Sequence, residues 1–437
     1  MISLIKQRFL QATVIGNALE YYDVTLYGFF AALLAPKFFP TLDSKSAILA
    51  SLSTFAAGFL MRPLGGAVFG HIGDRYGRKK ALLLSIFIIT IPTLVIGLLP
   101  TYDQIGIIAP ILLIICRLLQ GFCAGGEYCG AAVFIAENAK QGSDGFASSL
   151  LSVSGFLGAT IGTTVGAICT KEFMPDWGWR IPFIMGAIFG LIGFYIRQSI
   201  KESPTFSKIE AKEEIVKIPL IKTFKEDRIN LLCTFGIGAA ATIPYYIISI
   251  YTNIVLTQYL NLSTSYLMCV NTLLMIWWIL LLPLMGLLVD KIGKKQLMSL
   301  SSLGIIIMAY PISVYTYDNL SLKTILIMQF ALSIIASGFV APISAFIPTL
   351  FAPNRRYSGI GISYNSGTAF LGGTTPLVAA ALVNYTEMPT APAFYMMLSG
   401  LIGWLAVYFA KEVFNPQELP SVNSPSTLLS KQNINNN

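Results

Sequence analysis

Five full charges lie inside strongly apolar stretches of this chain: Glu20, Asp23, Arg62, Arg117 and Glu127. Charge is expensive in hydrocarbon, so such residues face a protein interior. Counted along a helix, Glu20 lies roughly 17 Å from the nearer boundary of its stretch, and Arg62 roughly 12 Å from its own. Asp23 follows Glu20 by one turn on nearly the same face. Arg117 is at mid-depth, and Glu127 is nearer the end of its stretch. Burial favours the neutral form of a carboxyl group, and a neighbouring arginine favours the ionised form. A carboxylate poised between the two can take up and release a proton as its surroundings change. Glu20, Asp23, Arg117 and Glu127 are the candidates for that chemistry. The bland alternative is a set of static ion pairs that fix helix packing.

The second half offers different chemistry. Residues 231–289 contain no Asp, Glu, Lys, Arg or His. They carry Tyr245, Tyr246, Tyr251, Trp277 and Trp278, and Tyr364 and Asn365 follow later. Ring faces attract an ammonium group, although aromatics in apolar spans more often pack or anchor at interfaces. Asn17, Glu20, Tyr27, Arg62, Arg117, Tyr245, Tyr246, Tyr364 and Asn365 form the candidate set for a small polar ligand. The one histidine, His71, cannot build a histidine-rich metal site, and the six cysteines include no Cys-x-x-Cys pair. No nucleophile–base set or phosphate loop is present. The expectation is neither an enzyme nor a protein with a metal or cofactor.

The elements that position these residues are long and apolar. Of 437 residues, 55% are hydrophobic and 11% charged, with a mean hydropathy of +0.69; soluble domains carry about 25% charged residues. Twelve stretches are long enough to cross a bilayer as helices: about 9–35, 46–70, 80–99, 106–136, 147–170, 180–199, 229–258, 264–288, 297–315, 322–350, 357–383 and 391–411. The net charge of +8 resides mostly in alternate connections: with the N-terminus inside, 22 of the 29 Lys and Arg fall on the inner side. That asymmetry predicts a bacterial inner-membrane protein with both termini cytoplasmic. The lipid bilayer, not nucleic acid, is the partner it implies. The first stretch, carrying Glu20 and Asp23, reads as a retained span, not a cleaved signal.

A ten-residue pattern occurs twice. Gly70-His71-Ile72-Gly73-Asp74-Arg75-Tyr76-Gly77-Arg78-Lys79 and Gly286-Leu287-Leu288-Val289-Asp290-Lys291-Ile292-Gly293-Lys294-Lys295 are offset by 286 − 70 = 216 residues, close to half the chain. Two six-helix halves repeated in parallel follow: residues 1–199 and 229–412, joined by a mixed-charge cytoplasmic linker at 200–228 with one surface helix. Residues 413–437 read as a disordered tail. The repeated segments read as tight turns. Gly70, Asp74, Arg75, Gly77 and Arg78, with Asp290, Lys291 and Gly293, are candidates for gating through ion pairs between the halves. Gly155, Gly158, Gly162, Gly166, Gly367, Gly372 and Gly373 suit close helix packing.

The chain resembles the metabolite:proton symporter branch of the major facilitator superfamily. The resemblance spans about residues 10–412. It is carried by the segments Gly16 to Asp23, Phe59 to Gly66, Gly70 to Lys80, Arg117 to Gly121, Gly125 to Tyr128, Asp176 to Phe183, and Tyr364-Asn365 with Gly372-Gly373. It implies an all-α fold of twelve spans in two bundles related by a pseudo-two-fold axis. It also implies alternating access to a central site, a functional monomer, and a place for Arg117 in proton coupling. Tyr21 stands where the branch usually has Trp. The near balance of Glu20, Asp23 and Glu127 against Arg62 and Arg117 favours import of a zwitterion such as proline or glycine betaine. Symport of an organic acid (α-ketoglutarate, citrate or shikimate type) needs an arginine free to fork a carboxylate. A non-transporting membrane receptor is the third reading.

Overall fold

The computed structural model describes residues 2–138, 143–169, 174–252 and 264–413. The tail at 414–437 lies outside them. Twelve long helices follow in order: α1 Ile2–Phe38, α2 Ser44–Tyr76, α3 Arg78–Leu98, α4 Ile108–Asn138, α5 Asp144–Cys169, α6 Arg180–Gln198, α7 Arg228–Tyr251, α8 Thr264–Ile292, α9 Lys294–Asp318, α10 Leu322–Leu350, α11 Arg356–Thr386 and α12 Ala391–Phe409. Eleven of these, all except α1, are long and apolar enough to cross a membrane among the described residues. Their outer faces carry exposed Leu, Ile and Phe side chains, such as Leu60, Ile161, Leu232 and Leu377. An apolar exterior of this kind suits lipid, not water.

Glycine sets how closely the helices pack. A side chain on Gly65 or Gly121 would enter the α4 or α2 backbone, so α2 and α4 run against each other without intervening side chains. Gly158 of α5 meets the Ala18 carbonyl of α1, and Gly367 of α11 meets the Phe235 carbonyl of α7. The two halves therefore use the same device at corresponding helix pairs. Between the halves, α2 packs on α11 and α5 on α8.

Two local expectations are corrected. The repeated ten-residue segments are not loops: Gly70 and Gly286 sit within helices, and each turn is one residue, Gly77 (φ 112°) or Gly293 (φ 94°). Only glycine adopts such positive φ readily. Gly70 instead lets the α2 backbone approach Ser358 of α11. The connection at 200–228 holds two short helices, Pro204–Ala211 and Pro219–Glu226, each begun by a proline. A proline at the first turn forfeits no hydrogen bond. Gly77, Gly293, this connection and the start of α11 share one end of the molecule, termed below the basic end.

Candidate functional site

The α1 carboxylates meet different partners. Glu20 pairs directly with Arg62 of α2, whose guanidinium also lies 5.2 Å from the Phe59 ring centre. Asp23 has no direct arginine partner among the described residues. Its Oδ2 accepts from the Thr93 hydroxyl of α3 at 2.6 Å. Arg117 of α4 donates to Gln120 at 2.7 Å, and its guanidinium lies over Tyr27, 4.2 Å from the ring centre. Glu20, Asp23 and Arg117 are all buried. Glu20 Oε2 and Asp23 Oδ1 are buried without a partner among the described residues. Each carboxylate thus keeps one oxygen uncommitted, as a group that changes protonation requires.

Glu127 stands apart from this cluster. Arg197 of α6 grips it with both terminal nitrogens, and the Ser85 hydroxyl donates to it at 2.9 Å. The pair packs against Gly16, where a side chain would displace the guanidinium. Its chemistry is that of a saturated buried ion pair. Arg197 was legible only as one more basic residue near a helix end.

A cavity opens between the halves. Asn17, Tyr21, Tyr128, Ser152 and Phe156 line it from the first half, and Ala241, Thr242, Tyr245, Trp278, Val340 and Tyr364 from the second. Six of these carry aromatic rings and none is charged. Tyr128 stacks on Tyr364 with centres 5.1 Å apart, and Phe156 on Trp278, also at 5.1 Å. Tyr245 meets Trp278 edge-on at 6.2 Å. Asn17 spends both amide donors on Leu151 and Ser154 of α5 at 2.9 Å, which fixes its orientation. Asn17 Oδ1 and Trp278 Nε1 remain buried without partners among the described residues. Of the ligand candidates, the structure brings Asn17, Tyr245 and Tyr364 to this wall. Tyr246 meets Tyr245 edge-on at 5.4 Å. Asn365 is held elsewhere, donating to Gly125 of α4 and Gly361 of its own helix at 2.7 Å. Tyr21, Tyr128, Phe156 and Thr242 also line the wall; Tyr21 and Tyr128 lie in segments that carry the family resemblance, while Phe156 and Thr242 gave no more signal in sequence than any packed side chain.

The basic end is closed by contacts between the halves. Asp74 of α2 accepts from the amides of Tyr357 (3.2 Å) and Ser358 (2.8 Å) in the first turn of α11. Asp290 of α8 accepts from Gly145 (2.8 Å) and Phe146 (3.1 Å) in the first turn of α5. A carboxylate there satisfies orphan amides and complements the helix dipole. Arg78 is fully buried. It contacts Asp74 at 3.1 Å, Glu137 of α4 at 3.3 Å and the Pro353 carbonyl at 2.5 Å. Glu137 also takes Arg356 of α11 at 3.1 Å and the Ser203 hydroxyl at 2.5 Å. The expected ion pairs of Arg75 and Lys291 are absent among the described residues. Both side chains are exposed, and Arg75 reaches the Lys217 carbonyl at 3.5 Å and lies 5.3 Å from the centre of the Tyr76 ring. Glu202 caps the start of α3 through the amides of Arg78 and Lys79. Burial holds its carboxyl above the usual carboxylate range, opposed by those amide hydrogen bonds.

Comparison with known proteins converges on one family. Residues 9–222 match the model described as Sugar (and other) transporter, and residues 231–434 the Major Facilitator Superfamily model. The Escherichia coli K12 proline/betaine transporter is 36% identical over 418 residues, covering 92% of this chain and 83% of that protein. The chain belongs to the major facilitator superfamily. The Dickeya dadantii glycine betaine/proline/ectoine/pipecolic acid transporter OusA is also 36% identical, over 417 residues, with the same coverage of both chains. Among solved structures, the proton:xylose symporter XylE bound to 6-bromo-6-deoxy-D-glucose superposes with a TM-score of 0.78 at 17% identity, covering 93% of this chain and 95% of that one. The human organic anion transporter MFSD10 (TETRAN) gives a TM-score of 0.68 at 14% identity, covering 93% of this chain and 99% of that one. This is a multi-pass membrane transporter with the superfamily fold.

Proposed function

We propose that the protein is a proton-coupled symporter that imports a small zwitterion, proline or glycine betaine, across a bacterial inner membrane by alternating access. The observation that carries this reading is the uncharged, six-ring cavity between the halves. Aromatic faces stabilise an ammonium or quaternary ammonium group by about 0.5–2 kcal/mol each, depending on desolvation. Asn17 Oδ1 offers an acceptor for the ammonium N–H of proline, and Trp278 Nε1 a donor for the carboxylate of either zwitterion. The two relatives named for proline and betaine support the same substrate class. The organic-acid alternative needs an arginine at the cavity wall, and none lines it.

Coupling follows from the placement of α1. One helix brings Asn17 to the cavity and Glu20 and Asp23 to Arg62 and the Thr93 hydroxyl. Substrate occupancy and carboxyl protonation then act on the same rigid element. The basic end faces the cytoplasm, with both termini there. Gly70, Asp74, Gly77, Arg78, Asp290 and Gly293 hold it shut until the loaded, protonated state releases the contacts. A monomer suffices, with the proton gradient in place of any cofactor.

Uptake of labelled proline, glycine betaine and α-ketoglutarate into proteoliposomes, with and without an inward proton gradient, tests the proposal. Gradient-dependent accumulation of a zwitterion is expected. Glu20→Gln and Asp23→Asn should each abolish accumulation while counterflow survives. Accumulation of α-ketoglutarate alone would transfer the site to the arginines, and undiminished uphill uptake in both variants would reduce the carboxylates to packing elements.

A further inference from the structure

Asp23 and Arg117 are joined by two neutral side chains. Thr93 Oγ1 donates to Asp23 Oδ2 at 2.6 Å, Gln120 Nε2 donates to Thr93 Oγ1 at 2.9 Å, and Arg117 Nη1 donates to Gln120 Oε1 at 2.7 Å. All four residues are buried, and they come from α1, α3 and α4. Thr93 Oγ1 also lies 2.9 Å from the Ile89 carbonyl, one turn back on α3. The hydroxyl has one hydrogen and two acceptor positions. It can therefore donate to Asp23 or to Ile89, but not fully to both.

We infer that Thr93 and Gln120 are positioning residues for the Asp23 proton, with the Thr93 hydroxyl reversing its direction as Asp23 changes protonation. The inference rests on the reading that Asp23 carries the coupled proton. With Asp23 ionised, Thr93 donates to Oδ2. When a proton from water adds at Oδ2, the Thr93 hydrogen turns to the Ile89 carbonyl. The new Oδ2–H donates to Thr93 Oγ1, whose second lone pair still accepts from Gln120. One proton is added, one negative charge is lost, and no heavy atom moves. The link to Arg117 persists in both states.

Other surroundings leave this route unobstructed. α6 faces Asp23 with Gly186, where a side-chain carbon would lie 3.0 Å from Oδ1. Gly162 of α5 faces the neighbouring Tyr22. The nearby charges are Arg117 from α4 and, one turn along α1, Glu20 with its α2 partner Arg62. Glu20 lacks such a neutral relay: protonating it leaves Arg62 facing an uncharged group. The two carboxylates are thus unequal, and Asp23 is the one whose surroundings accommodate both forms.

The test reads Asp23 without any substrate. pH-induced infrared difference spectra of the protein in liposomes report the carboxyl band, with Asp23→Asn to assign it. Thr93→Val should move the titration midpoint by about one pH unit or more, a tenfold change in proton affinity, while Thr93→Ser stays within about 0.3 of wild type. Gradient-driven uptake of labelled proline should fall about tenfold in Thr93→Val and return in Thr93→Ser, with counterflow kept in both. If Thr93→Val does not fold, Gln120→Leu interrupts the other link and should move the same midpoint. An unchanged midpoint in Thr93→Val or in Gln120→Leu, or a Thr93→Ser variant as impaired as Thr93→Val, overturns the inference and leaves Asp23 as the proton carrier. A wild-type spectrum with no band sensitive to Asp23→Asn overturns the reading of Asp23 itself, and the inference with it.

Discussion

The corners at Gly77 and Gly293 share a ten-residue pattern but not their company. In both, an aspartate caps the first turn of a helix in the other half: Asp74 on α11, Asp290 on α5. Around Asp74 the network is dense and buried. Arg78, Glu137 and Arg356 meet there with side chains at most 2% exposed. Around Asp290 it is thin: Lys294, at the position equivalent to Arg78, reaches Asp144 at 2.5 Å with side chains 20% and 32% exposed. Glu137 has no counterpart there among the described ion pairs. A repeated motif therefore supplies the cap twice but the buried lock once. The difference follows from guanidinium chemistry: Arg78 serves a carboxylate, a second carboxylate and a backbone carbonyl together, which a single ammonium on a flexible stem does less well.

The asymmetry can be broken at its centre. Glu137→Gln leaves Arg78 and Arg356 buried together without their shared anion, at an expected cost of about 3–5 kcal/mol. Thermal unfolding in detergent should show a large fall in Tm for Glu137→Gln and almost none for Asp144→Asn; equal falls would erase the distinction between the corners. Next in size is the pair of caps. Asp74→Asn should weaken closure by about 1–2 kcal/mol and Asp290→Asn by less, because Asp74 is fully buried and charge at a helix terminus counts most there. Spin-label distances between α2 and α11, and between α5 and α8, would read the opening of each corner. The smaller corner is sharpened by salt. Lys294→Gln should cost no more than about 1 kcal/mol, and the difference from wild type should vanish as salt is raised.

The smallest effect concerns Glu202, which caps α3 beside the dense corner. Its folded carboxyl is held above its ordinary range, so the folded state binds its proton more tightly than the unfolded chain does. Its contribution to stability is then present below the ordinary carboxylate range and declines as pH rises through the folded value. Glu202→Gln should flatten that mildly acidic slope in an unfolding series over pH, and a slope unchanged by the substitution would assign it to another group.

Much of the fold was legible because membrane helices declare themselves by length and apolarity. The stretches at 322–350 and 180–199 coincide with α10 and α6 almost to the residue. The buried charges of α1, α2 and α4 were legible for the same reason, since each interrupts an apolar run. Glu137 was not. It lies one residue from the end of α4, where a charge reads as solvated, and its partners are 59 and 219 residues away in sequence. Arg356 and Arg197 were likewise counted only among the 22 basic residues of the inner side. Gln120 entered only as part of the Arg117 to Gly121 segment, and Thr93, uncharged and outside every motif, gave no signal at all.

By itself, then, the sequence determined the number and order of the spans, the repeat, and which ionisable groups hydrocarbon would force inward. The reason is local: transfer free energy and helical rise act on each stretch separately. Tertiary structure alone decided the pairings. It gave Glu20 an arginine and Asp23 a hydroxyl, set Glu127 aside with Arg197, and gathered six rings around one cavity. Those outcomes depend on helix rotation and contact between distant segments, which composition and spacing along one stretch do not encode.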